Sequence, residues 1–191
     1  MTPLDPFQHV TRRLAIDGKP LIVLDGLFDD REIDAAYRFL NRLPFHLNDV
    51  DSGETAYARH WKAELLLDFV RATPVLNECA GLTPAFFSEA SSRPLRLTRA
   101  HVNLHLYGDA QHAHTDLPGG VTALYYANPE WDEKWMGETL FCDDRREPIA
   151  AVAPKPGRVA IFDADLLHRA GVPSRECFAA RLTVAFKYVR E

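Results

Sequence analysis

Cysteine is scarce in this sequence and never paired. It occurs three times in 191 residues, at Cys79, Cys142 and Cys177, with no CxxC spacing. That excludes a disulfide framework and a zinc ribbon, and it fits a reducing compartment. Positive charge is not in excess either: 22 Lys and Arg face 27 Asp and Glu, a formal net charge of −5. The chain therefore lacks the electrostatic footprint of a nucleic-acid binder. No apolar run approaches the roughly 18 residues that mark a bilayer span. Met1-Thr2-Pro3-Leu4-Asp5 has neither the basic start nor the apolar stretch of a secretory signal. Repeats, low-complexity tracts and linkers are also missing. The expectation is a cytoplasmic protein with no nucleic-acid and no membrane partner. With 47% apolar and 26% charged residues, the composition is that of an ordinary globular protein, and the length suits one domain over residues 1–191.

The chain changes character near its middle. Lys19 to Asp25 reads as a buried strand, and Gly26-Leu27-Phe28 turns out of it. Asp29 and Asp30 offer an N-cap with Glu32 in the first turn, and Ile33, Tyr37, Leu40 and Leu43 form one apolar stripe that Pro44 ends. Asn48 to Glu54 is a polar loop, either solvated or lying over a site. Lys62 to Ala72 reads as a second helix with Ala63, Leu66, Leu67 and Val70 inward. Thr73-Pro74 and Thr83-Pro84 each open a short helix, at 74–80 and 84–90. After Arg93-Pro94 the pattern is strand-like, with strands expected at 95–107, 112–116, 121–127, 138–142, 149–153, 158–163 and 179–189. A helical part over 20–92 followed by a strand-rich part over 93–190 predicts an α+β domain. Its core would be a double-stranded β-helix, or jelly roll, with the N-terminal helices packed outside.

The chemistry centres on His112-Ala113-His114-Thr115-Asp116. In an extended strand, side chains two apart share a face, so His114 and Asp116 place an imidazole beside a carboxylate. That pair is one ligand short of the facial triad that holds Fe(II) and keeps positions open for co-substrates. His168, in Asp165-Leu166-Leu167-His168-Arg169, is the candidate for the third. Along 101–107, Val102, Leu104 and Leu106 share one face and His101, Asn103, His105 and Tyr107 the other, which suits either the lining of a wet cavity or a solvent-facing edge. In Arg181 to Tyr188, Leu182, Val184, Phe186 and Tyr188 belong to the packing face, and Arg181 and Thr183 share the opposite one. A buried guanidinium needs a carboxylate or an oxyanion. A dicarboxylate co-substrate or one of the chain's own acids would serve. Arg158 and Lys187 are the alternative cations for that role.

Together, His114-x-Asp116, His168 and Arg181-x-Thr183 resemble the Fe(II)/2-oxoglutarate-dependent dioxygenases, in particular their prolyl-hydroxylase-like branch. Leu124 to Asp132 followed by Gly137-Glu138-Thr139-Leu140 is similar to the strand-turn-strand after that family's HxD motif. Pro156 to Phe162 is similar to the strand leading to the distal histidine, and Leu24 to Asp30 to the opening of the branch. The resemblance covers residues 20–190 and is strongest from 105 onward. It implies that His114, Asp116 and His168 ligate Fe(II), and that Arg181 pairs with the distal carboxylate of 2-oxoglutarate with help from Thr183. It also implies that Tyr126 and Tyr107 contact the co-substrate. The implied reaction is hydroxylation of an unactivated C–H bond, consuming O2 and releasing succinate and CO2. Asp116 speaks against the halogenases, which lack that carboxylate.

Two other readings compete. HxHxD suggests a zinc hydrolase, although Leu117 stands where such a site has histidine. The other is a jelly-roll metal-binding protein without oxygenase activity. The expected substrate is a peptide or protein residue, a free amino acid, a secondary-metabolite intermediate or a carrier-bound group. Arg59, His60, Trp61 and Trp135 are candidates for its mouth, with ordinary surface and core packing as the alternative.

Overall fold

Residues 5–50, 53, 56–87 and 94–191 are described by a computed structural model. In chain order the elements are β1 (Val10–Ile16), β2 (Lys19–Leu24), α1 (Asp30–Leu40), β3 (His46–Asp49), β4 (His60–Leu65), α2 (Leu67–Ala72), α3 (Pro74–Phe87), β5 (Leu95–His105), β6 (Val121–Tyr126), β7 (Thr139–Cys142), β8 (Pro148–Val152), β9 (Val159–Asp163), β10 (His168–Ala170) and β11 (Arg181–Arg190). Eight strands form a large sheet in the order β1-β2-β9-β6-β11-β5-β4-β3, and β10-β7-β8 form a small one. The neighbouring strands pair antiparallel, as in a jelly roll.

The large sheet buries apolar side chains on both faces because its strands alternate between two sets of partners. Leu24, Val102, Tyr125, Ile161, Val184 and Phe186 face one way and pack with Leu40 of α1, Val70 of α2 and Leu76, Cys79 and Phe87 of α3. Leu21, Val23, Tyr126, Ala160 and Phe162 face the other way and pack with Phe141 and Val152 of the small sheet. Each fully buried side chain of this size stabilises the fold by about 1.5–3 kcal/mol. Helix α1 starts with the expected chemistry: Asp29 accepts from Glu32 N at 2.9 Å, and Glu32 Oε2 accepts from Asp29 N at 2.9 Å.

Several local expectations differ. The part over 20–92 is less helical than expected, since β3 and β4 lie in it beside the expected β2, and β1 precedes it. Lys62 to Ala72 is two elements: β4 runs to Leu65, Leu66 breaks the path 80% exposed, and α2 follows. Leu65-Leu66-Leu67 fits a helical stripe, but pairing of β4 with β5 wins for the first half. The helices at 74–80 and 84–90 are one, α3, with Pro84 inside it; residues 88–90 lie outside the described residues. Asn48 and Asp49 belong to β3, while 51, 52 and 54 of the polar loop lie outside the described residues. Residues 112–116 form no strand, only a single bridge at His114.

Candidate active site

Strands β5 and β11 build the cavity wall. Their register sets Arg181 opposite His105, Thr183 opposite Asn103, Ala185 opposite His101 and Lys187 opposite Arg99. The apolar alternates point to the helices, so this polar row faces the space between the sheets. It lines a cavity of about 250 Å³ that also takes in His114, Asp116 and His168.

The last three side chains come from different places. His168 opens β10 in the small sheet. His114 is tied to it by two backbone bonds, His114 N to His168 O and His168 N to His114 O, each 2.9 Å. Asp116 is tied to the large sheet through its amide, which donates to Ala164 O at 2.8 Å. One ligand-type atom from each residue lies within 4.8 Å of the other two. The Nδ1 atoms of His114 and His168 sit 2.9 Å from His112 O and 2.8 Å from Leu166 O. A carbonyl only accepts, so each Nδ1 donates to it, and each Nε2 edge is turned toward Asp116. Burial pushes His168 down to about 4, which holds it neutral. Burial pushes Asp116 upward, yet the Lys187 ammonium, then His168 and the Thr122 hydroxyl, hold it well below the usual carboxylate range. Two imidazoles and one ionised carboxylate suit a divalent iron.

Arg181 is 2% exposed. Its Nε donates to Gly137 O at 2.6 Å and its Nη2 to Thr139 Oγ1 at 3.0 Å, both neutral partners. Among the described residues no carboxylate is within ion-pair distance of it, and burial pushes its pKa down. Gly137, at φ +79°, makes this seat possible: a Cβ there would come within 3.1 Å of Arg181 Cδ.

The structure thus brings His114, Asp116, His168, Arg181 and Thr183 to one cavity. Tyr126 lies behind Arg181, its ring 5.4 Å from the guanidinium carbon and its hydroxyl 2.7 Å from Thr139 Oγ1. Tyr107 does not join them. β5 ends at His105, Asp109 accepts from Leu106 N at 2.7 Å, Gly108 turns at φ +90°, and Tyr107 is left 60% exposed. Arg59, His60, Trp61 and Trp135 do not line the cavity either; His60 is buried in β4 and Trp135 packs on Trp131. His112 pairs with Tyr57 outside the cluster. Arg158 is spent on Asp25. Sequence reasoning assigned no role to Thr122, Thr139 or, beyond a reserve anchor, Lys187. The alternation that picked out Arg181 and Thr183 runs on through Ala185 to Lys187 and carries the missing signal.

Residues 102–188 match the family model of the 2OG-Fe(II) oxygenase superfamily. A sequence search of curated proteins finds no match. Among solved structures, the chain is similar to an oxidoreductase of the 2OG-Fe(II) oxygenase family from Burkholderia pseudomallei, with 16% identity, 90% of this chain and 85% of that one covered, and a TM-score of 0.67. It is similar to a prolyl hydroxylase from Trichoplax adhaerens in complex with a hypoxia inducible factor peptide fragment, at 16% identity, 88% and 82% coverage and a TM-score of 0.65. It is also similar to HygX from Streptomyces hygroscopicus with nickel, 2-oxoglutarate and hygromycin B bound, at 17% identity, 90% and 83% coverage and a TM-score of 0.64. The fold is that of the 2-oxoglutarate oxygenases, and the resemblance read from the sequence holds.

Proposed function

We propose that the protein is an Fe(II)- and 2-oxoglutarate-dependent oxygenase that hydroxylates an unactivated C–H bond, with O2 consumed and succinate and CO2 released. In this reading His114, Asp116 and His168 hold the metal, and Arg181, helped by Thr183, binds the far carboxylate of 2-oxoglutarate. The observation that carries it is Arg181, a buried guanidinium bonded to neutral groups and opening on the same cavity as three metal-ligand side chains. A dicarboxylate that reaches the metal with its keto-acid end would supply a carboxylate that the arginine does not bond among the described residues. The neighbour with nickel and 2-oxoglutarate bound supports the same cofactor set.

When bound, metal and co-substrate supply the oxidising power that no side chain here has. The chain's own residues position and shield. The backbone bonds at both Nδ1 atoms fix the imidazoles, and the paired strands β5 and β11 hold Asn103 and Thr183 beside the co-substrate's path. Leu117, Leu124 and Ala185 place apolar surface against the cavity and limit water. Tyr126 supports Arg181 from behind rather than meeting the co-substrate.

About 250 Å³ admits the co-substrate and one reacting group, leaving the bulk of a substrate outside, past Asp49 and Val50. The described lining contains no phenylalanine, tyrosine or tryptophan, so the reacting group is polar or small: an amino-acid side chain, free or in a peptide, or a hydroxylated or carrier-bound metabolite. The neighbours with a peptide and with hygromycin B bound span those two classes. The test is incubation of the protein with Fe(II), 2-oxoglutarate, O2 and a metabolite and peptide panel. Metal-dependent succinate and a product heavier by one oxygen are expected. A protein that binds neither divalent metal nor 2-oxoglutarate would sink the reading and leave the jelly-roll binding protein.

A further inference from the structure

Lys187 is a cation the sheet did not need for its fold. It is buried, it faces the cavity, and keeping an ammonium there costs solvation that an apolar residue would not. Its Nζ contacts Oδ2 of Asp116. Thr122, directly across from it in the β11–β6 register, donates its hydroxyl to the same Oδ2 at 2.6 Å. Lys187 also reaches Thr122 Oγ1 at 3.4 Å, which closes a triangle. The other neighbour in register, Arg99, is drawn off by Glu64 through bonds of 3.3 and 2.7 Å and does not compete. Both donors therefore fall on one oxygen. Oδ1 accepts no hydrogen bond among the described residues and lies 3.8 Å from His114 Nε2, while the doubly held Oδ2 lies 3.6 Å from His168 Nε2.

A carboxylate can give a metal one oxygen or two, and the choice matters at a three-residue site. With both oxygens bound, Asp116 would fill a position that a chelating co-substrate needs. We propose that Lys187 and Thr122 clamp Oδ2 of Asp116, so that this carboxylate offers a metal only Oδ1 and a coordination position stays open. Lys187 is thus a positioning residue. The clamp rests on the metal-site reading above.

The probe is Co2+, whose visible bands weaken as its coordination number rises. The proteins compared are the wild type, Lys187→Met, Thr122→Val, Lys187→Arg and the double variant Lys187→Met with Thr122→Val. Three quantities are read without turnover: the Co2+ spectrum, the Co2+ affinity, and the affinity of the Co2+ protein for 2-oxoglutarate. Releasing the clamp should weaken the Co2+ bands and raise the 2-oxoglutarate dissociation constant about 10-fold, equivalent to about 1.4 kcal/mol. Co2+ itself should bind with little change. Lys187→Arg should restore both signals, since it returns a cationic donor to Oδ2. Thr122→Val carries the test if Lys187→Met does not fold. Unchanged spectra and unchanged 2-oxoglutarate affinity in both single variants would overturn the clamp. Weaker 2-oxoglutarate binding with an unaltered spectrum would also overturn it, because Lys187 would then be touching the co-substrate and not steering Asp116. A wild type that binds neither Co2+ nor 2-oxoglutarate would remove the metal-site reading, and the clamp with it.

Discussion

Two arginines stand at the heads of β9 and β11, which flank β6 in the large sheet, and their surroundings differ. Arg158, just before β9, lies in a corner where Asp25 meets it with two bonds of 2.8 Å, and Ala153 O takes a third at 2.8 Å. Arg181, at the head of β11, is more deeply buried and bonds a carbonyl and a hydroxyl, with no carboxylate bonded to it among the described residues. The corner is complete within the chain. The cavity leaves its guanidinium on neutral hydrogen-bond partners. A buried cation with no carboxylate bonded to it among the described residues is a candidate ligand site, whereas a buried pair marks the scaffold.

The sharpest way to break this contrast is Arg181→Ala. Truncating one side of a buried charge-assisted pair costs on the order of 2–5 kcal/mol, so the 2-oxoglutarate dissociation constant should rise by roughly 30-fold or more. Divalent-metal affinity should stay as it is. Lysine should restore only part, since it keeps the charge and loses the planar fork. Anaerobic titration of 2-oxoglutarate into the metal-loaded protein reads this, and equal affinities would place the anchor elsewhere.

A smaller effect of the opposite kind is expected from Asp25→Ala. It strands Arg158 and should lower unfolding stability by about 1–3 kcal/mol, with 2-oxoglutarate affinity unchanged. Burial raises the Asp25 pKa, but Arg158 and Lys155 together carry it below its ordinary value. The stability this gives is therefore present above the ordinary carboxylate range and is lost as pH falls through the lowered value. Denaturant unfolding of both proteins from neutral to acid pH should show the gap between them closing; a constant gap would mean the pair does not supply it. The smallest effect belongs to His112→Ala, which should leave metal affinity unchanged by calorimetry. A clear loss would bring the zinc-type HxHxD reading back.

How much of this could be read from the residues follows the strength of the local pattern. The polar faces of β5 and β11 were legible because apolar alternation over ten residues or so fixes the face of every side chain between. Arg181 and Thr183 were read from that alternation, and Lys187 was available from it. The jelly roll was legible in the second half for the same reason. β1 was not, because Thr11, Arg12 and Arg13 give an edge strand no apolar signature. β4 was hidden by a leucine run that suits either period. Tyr107 was misplaced because alternation cannot announce where a strand stops, and here Gly108 and Asp109 stop it. The convergence of Thr122 and Lys187 on one carboxylate oxygen needed the β6–β11 register, which sequence spacing alone does not supply.

The reciprocal bonds between His114 and His168 have a mechanical side. His168 belongs to the small sheet, and Asp116 is fastened to the large one through Ala164. An ion gripped by all three would act as a rivet through the two layers of the sandwich, resisting their splaying at that end. Binding of this kind raises the melting temperature in step with the logarithm of free metal concentration. A heating curve would then report the loading of the centre, with no substrate required.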